Sequence, residues 1–218
     1  MDKQEIIKQT ASYVKEILEG EGSGHDWWHI QRVRNLALNI GRKEDANLYV
    51  VEMASLLHDV GDPKLYGGDK TIAPIMIGRK LSELGVEGKE KDDIMYIIGN
   101  MSFSKHLDGK EVKKSVEFQC VQDADRLDAI GAIGIARCFA YGGHKGRVLY
   151  NPDVKAREGL SSEVYHATSA DTLSHFQEKL LLLKNLMNTA TAKRMAEERH
   201  KFMESFLMRF HNEWEGKL

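Results

Sequence analysis

VEMASLLHDVGDPKLYGG, residues 51–68, sets two strong signals side by side: an apolar pattern with the period of a helix, and an abrupt stop. Val50, Val51, Met53, Ala54 and Leu57 recur at spacings of three and four, which predicts a helix from about Asp45 to Asp59. Gly61 and Pro63 cannot continue it. His58 and Asp59 therefore fall at the C-terminal end of the helix. Adjacent side chains diverge by about 100° within a helix, but at a frayed end both can turn toward one point lying off it.

The same period recurs on either side. A first helix is predicted over Lys3–Leu18, with Ile6, Ile7, Ala11, Val14 and Leu18 on one face and Gly20 and Gly22 as its stop. Asp26 caps a second, to about Ile40, whose apolar side is Trp28, Val33, Leu36, Ala37 and Ile40. Further helices are expected over Ile72–Leu84 and Glu90–Met101. VEFQCVQDADRLDAIGAIGIARCFAYGG, residues 116–143, reads as one long buried helix or two, closed by Gly142 and Gly143. Two more are expected over Ala170–Met187 and Thr189–Trp214. The stretch from His144 to Ser169 is the least regular, and its length makes it a candidate lid or pocket wall. With three prolines and few segments of period two, the chain is predicted to be all-α, and no repeat, linker or composition shift marks a second domain within residues 1–218.

Composition excludes several classes of function. The 33 acidic and 31 basic residues are interspersed and leave a net charge of -2, so no nucleic acid polymer is an expected partner. No apolar run approaches the roughly 18 residues of a membrane span, and MDKQEIIKQT lacks the apolar core of a signal peptide, so a cytoplasmic protein without a membrane partner is expected. Cys120 and Cys138 have no CxxC spacing and read as buried, reduced thiols.

A divalent ion needs side chains converging from different elements, because one helix presents few groups to one point. In GSGHDWWHIQRV, residues 22–33, His25 and Asp26 fall at a helix entrance, where Asp26 has an ordinary role as N-cap; His29 lies one turn inside among apolar neighbours. In DADRLDAIGAIG, carboxylates precede an apolar helix, and burying them without a cation would cost free energy.

HDWWHIQRV at 25–33, ASLLHDVGDPK at 54–64 and VQDADRLDAIGAIGIARCF at 121–139 resemble, in order, the motifs of the HD-domain superfamily of metal-dependent phosphohydrolases. MSFSKH at 101–106 and the segment 175–207 are similar to its small stand-alone bacterial members. The resemblance implies a single helical bundle of the HD type, with a metal-site core over about 20–142 and C-terminal helices over about 170–214 packing on it. It implies His29, His58, Asp59 and Asp125 as ligands of one divalent ion, with Asp123 and Asp128 as flanking alternatives or supports for Asp125.

Two imidazoles and two carboxylates suit Mn, Fe, Co, Ni or Zn, with Mg also admitted. Such an ion would acidify a water and polarise a phosphoryl group, hence hydrolysis of a phosphoester or phosphoanhydride. Lys64 and Arg32 are the nearest phosphate-binding cations in sequence, Lys64 also a candidate catalytic group; Asp62 either handles the proton or forms the turn before Pro63. Lys105 and His106 in SFSKH, and Lys145 and Arg147 in YGGHKGR, are further candidates for substrate contact. The expected substrate is a small phosphorylated metabolite. From the resemblance alone a nucleotide is favoured, with (deoxy)nucleoside triphosphate pyrophosphohydrolase ahead of a phosphodiesterase or 5'-nucleotidase of the same superfamily, or a silent metal- or nucleotide-binding module. A homodimer through the terminal helices stays open.

Overall fold

The computed structural model describes residues 1–20, 26–63, 66–102, 112–154 and 171–218. They form nine α-helices and no strand: α1 (Lys3–Leu18), α2 (Trp27–Lys43), α3 (Leu48–Leu57), α4 (Ile72–Glu83), α5 (Gly88–Asn100), α6 (Val116–Asp128), α7 (Gly131–His144), α8 (Ser174–Glu178) and α9 (Ala190–Trp214), with a 3₁₀ helix at Leu180–Leu186. The all-α expectation holds. Lys64, Lys105 and His106, together with His25 and residues 155–170 of the segment read as a pocket wall, lie outside the described residues.

Two compact units divide the described chain, Met1–Ala124 and Asp125–Leu218, and the division falls inside the unbroken helix α6. In the first, α3 is the central element and packs against α1, α2 and α5. Its residues Tyr49–Val51 and Met53–Leu57 are buried, so an isolated apolar stripe is the wrong description for a helix enclosed on most sides. It begins at Leu48, later than the predicted Asp45, because Asn47 is the cap: its Oδ1 accepts from the backbone N–H of Tyr49 at 3.2 Å and of Val50 at 3.5 Å. On α2 the predicted stripe is buried at Val33, Ala37 and Ile40, and Ile30 joins it. Trp28 departs from it, at 66% exposed, because it lies off that face. On α6, Phe118, Val121 and Gln122 turn inward, and Gln122 donates through Nε2 to the carbonyl of Met101 at 2.9 Å.

The second unit holds the last turn of α6 and everything after it. Residues 116–143 resolve into two helices: Ala129 and Ile130 donate to the carbonyls of Arg126 and Leu127 at 3.2 Å each, closing α6 with tight turns before α7 begins. The single helix predicted over Ala170–Met187 is a correction. Thr172 and Leu173 instead pair with the carbonyls of Val148 and Leu149 at 3.0 and 3.1 Å, Asp171 accepts from Ser174 N–H, and only five α-helical residues precede the 3₁₀ segment. These pairings fix the start of the segment, and the helical run ends at Lys179, whose φ of -144° and ψ of -56° leave the helical region. Phe139, Phe176, Phe206 and Phe210 form an aromatic cluster with ring centroids 6.0–6.3 Å apart.

No described helix is long and apolar enough to cross a membrane. Cys120 and Cys138 are unpaired thiols, and burial pushes each up to about 12 from the usual 9.0, for Cys138 against the pull of Arg147 and Lys179. Only the thiolate attacks an alkylating reagent, so this rise lowers the reactive fraction at pH 8 by about a thousandfold. Iodoacetamide is therefore expected to leave the native protein unmodified while labelling both cysteines in urea. Intact-mass measurement checks it, and rapid labelling of the native chain contradicts it.

Candidate metal centre

Each part of the centre is set by local rules before the parts meet. Asp26 accepts from the backbone N–H of His29 at 2.8 Å, so the cap read from the sequence fixes where α2 starts. His29 then takes the first position of the buried stripe, at 0% exposed. His58 follows the last residue of α3, and its Nδ1 sits 2.8 Å from the carbonyl of Ser55. That acceptor requires the proton on Nδ1, which leaves the Nε2 lone pair directed away, as a metal-ligating imidazole requires. Arg34 of α2 pairs with Glu52 of α3, with Nε 2.9 Å from Oε1, and holds the two histidine-bearing helices in register.

Past His58 the chain reverses: Val60 N–H donates to Leu57 O at 3.1 Å and Asp62 N–H to Asp59 O at 3.2 Å. Gly61 makes this turn possible. Its φ is +73°, and a Cβ there would lie 2.6 Å from Ala73 Cα and 2.8 Å from Ala73 N, both backbone atoms that cannot yield cheaply. Gly61→Ala is expected to destabilise the protein by about 2–4 kcal/mol, the sum of positive-φ strain and a backbone clash, read from a chemical denaturation midpoint. A midpoint equal to that of the unaltered protein would show that the turn tolerates a side chain.

Asp125 lies on α6 one turn beyond Val121 and Gln122, so it continues the inward face of that helix without a break. His29, His58 and Asp125 each offer one donor atom, and all three atoms lie within 4.8 Å of one another. The two Nε2 atoms are 3.2 Å apart. Buried Asp59 places Oδ2 at 3.4 Å from His29 Nε2 and Oδ1 at 3.6 Å from His58 Nε2. Of the flanking carboxylates, Asp128 is bound to Arg137 at 2.7 Å, while buried Asp123 raises the pKa of the Cys120 thiol.

The donor set fits a divalent cation. Donors about 2.1 Å from a six-coordinate ion stand about 3.0 Å apart when adjacent and about 4.2 Å when opposite, and the separations of 3.2, 3.4 and 3.6 Å among His29, His58 and Asp59 fall in that range. Two imidazole nitrogens facing each other with a carboxylate beside both also concentrate lone pairs, which a cation relieves.

The structure brings together the four side chains picked out as ligands. Arg32 is half-buried one turn after His29, and Asp62 is half-buried in the turn after the doublet. Lys145 and Arg147 belong to the second unit, at the end of α7. Sequence reasoning missed Ser55, whose backbone carbonyl orients His58, and the Arg34–Glu52 pair. The first leaves no side-chain signal, and the second is one of many opposite-charge combinations until α2 lies against α3.

A family model described as HD domain matches residues 27–130, the span that contains all four ligand candidates. YpgQ of Bacillus subtilis is 41% identical over 225 aligned positions, covering 99% of this chain and 97% of that protein. A crystal structure of an HD-superfamily hydrolase from Bacillus thuringiensis matches with a TM-score of 0.77 and 44% identity, over 98% of this chain and 99% of that one. The crystal structure of YpgQ in complex with ADP matches with a TM-score of 0.74 and 39% identity, over 95% and 97% of the two chains.

Proposed function

The chain belongs to the HD-domain family, and on that premise we propose that it is a metal-dependent phosphohydrolase whose substrate is a nucleotide, with a (deoxy)nucleoside triphosphate favoured. The observation that carries the reading is the convergence of His29, His58 and Asp125 donor atoms within 4.8 Å, with Asp59 beside both imidazoles. These four residues would hold one ion of the Mn, Fe, Co, Ni or Zn type. When bound there, such an ion supplies Lewis acidity, which acidifies water and polarises a phosphoryl oxygen.

The chain's own residues do the rest. His29 and His58 are held by the helix cap and by Ser55, so the centre is preorganised before substrate arrives. Arg32 and Lys64 neutralise phosphate oxygens as the bond breaks, and Asp62 accepts the proton of the attacking water. A nucleotide is favoured over other phosphorylated metabolites because YpgQ, alike along nearly its whole length, has a structure with ADP. The two unpaired thiols, Cys120 buried and Cys138 half-buried, suit a reducing compartment, so we place the activity in the cytoplasm.

The test is a panel of nucleoside and deoxynucleoside mono-, di- and triphosphates with Mn, Co, Ni, Zn or Mg, followed by ³¹P NMR. Triphosphates are expected to yield pyrophosphate and a monophosphate. Tight nucleotide binding with no product under any metal would reject hydrolysis.

A further inference from the structure

A second concentration of cations lies in the second unit, where α7 ends. Lys145 N–H donates to Tyr141 O at 3.0 Å, Gly146 N–H to Gly143 O at 3.0 Å and Arg147 N–H to Gly142 O at 2.9 Å, winding the chain through a tight turn. Gly146 supplies the φ of +66° that the turn needs. The turn is then pinned from behind: Val148 O accepts from both the backbone N–H and the hydroxyl of Thr172 at 3.0 Å. Thr172 also packs so close to Gly142 that a Cβ there would stand 2.2 Å from its Oγ1.

This rigid turn brings two cations to one ring. Lys145 Nζ and Arg147 Cζ each lie 5.6 Å from the centroid of Tyr141. Neither has an ion-pair partner among the described residues, and the Nε of Arg147 is buried without a hydrogen-bond acceptor. Other arginines and lysines of the chain do find carboxylates, among them Arg34 with Glu52, Arg137 with Asp128 and Lys89 with Asp93. A cation–π contact is worth about 0.5–1 kcal/mol at an exposed site and leaves the repulsion between the two cations undischarged.

The geometry points to Tyr141, Lys145 and Arg147 forming a binding site for the phosphate group of a small molecule. A guanidinium fork beside a compact ammonium suits a tetrahedral dianion, because the fork takes two oxygens and the ammonium balances the second charge. The inference does not depend on the metal centre.

Arg147 also supplies the reporter. Its buried Nε–H exchanges slowly and should give a resolved ¹H–¹⁵N signal in the full-length, Mg-loaded protein, assigned by its loss in Arg147→Lys. Titration with inorganic phosphate, at ionic strength held constant with NaCl, is expected to shift this signal and the amides of residues 145–147 saturably. In Lys145→Gln the half-saturating concentration should rise about tenfold, the loss of one charge-assisted contact. A parallel titration with ADP identifies the source: saturation at lower concentration than inorganic phosphate assigns a nucleotide's phosphates, the reverse order free phosphate. The response should survive in His58→Ala; its disappearance there would assign it to phosphate at the metal centre and overturn the site. So would a non-saturating shift, an equal shift with NaCl alone, or unchanged affinity in Lys145→Gln.

Discussion

His58→Ala is expected to abolish metal binding and nucleotide hydrolysis together, lowering kcat/KM by at least about a thousandfold, equivalent to about 4 kcal/mol of lost transition-state stabilisation. The position allows no substitute. Its Nε2 is 3.2 Å from that of His29 and 3.6 Å from Asp59 Oδ1, and the ring is oriented by the Ser55 carbonyl at 2.8 Å. Removing the imidazole leaves a gap among donors that no neighbouring backbone group can fill. Elemental analysis of the purified variant, set beside ³¹P NMR of product formation, measures both losses, and circular dichroism verifies that the helices remain. Full metal content with full activity would remove His58 from the centre and the proposed function with it.

The second large effect separates chemistry from coordination. Asp62→Asn should keep stoichiometric metal and a nearly unchanged KM while kcat falls about 10²–10⁴-fold, the usual contribution of a positioned general base. Asparagine keeps the shape of aspartate and its backbone N–H, which donates to Asp59 O at 3.2 Å, so the turn is preserved while the proton acceptor is lost. Unaltered kcat would return Asp62 to its other reading, a residue that forms the turn before Pro63.

Local order was legible in the sequence wherever a local rule governs it. The span Lys3–Leu18, the capping role of Asp26 and the stop at Gly61 follow from the helical period, a side-chain acceptor and backbone sterics, and all appear as read. Boundaries failed where a distant partner sets the path of the backbone. The chain from Ala170 to Met187 has the composition of one helix, yet Thr172 and Leu173 bond to Val148 and Leu149, more than twenty residues away in the chain. Trp28 was misassigned for a related reason: apolar character places a residue near a face, while the packing of α2 decides which face is enclosed.

The residue types around the centre, and the order His, His-Asp, Asp in which they arrive, were determined by the sequence alone, as was an all-α chain whose acidic and basic residues are interspersed. Only tertiary structure separated Asp125 from its neighbours: all three aspartates sit within six residues of one helix, but Asp128 is taken by Arg137, and Asp125 reaches the imidazoles. The same holds for the Arg34–Glu52 tie and for the two cations gathered over Tyr141. The physical reason is range. Helical period, caps and turns are settled by residues a few positions apart, whereas a convergence within a few ångströms of groups far apart in the chain depends on which helix faces pack together.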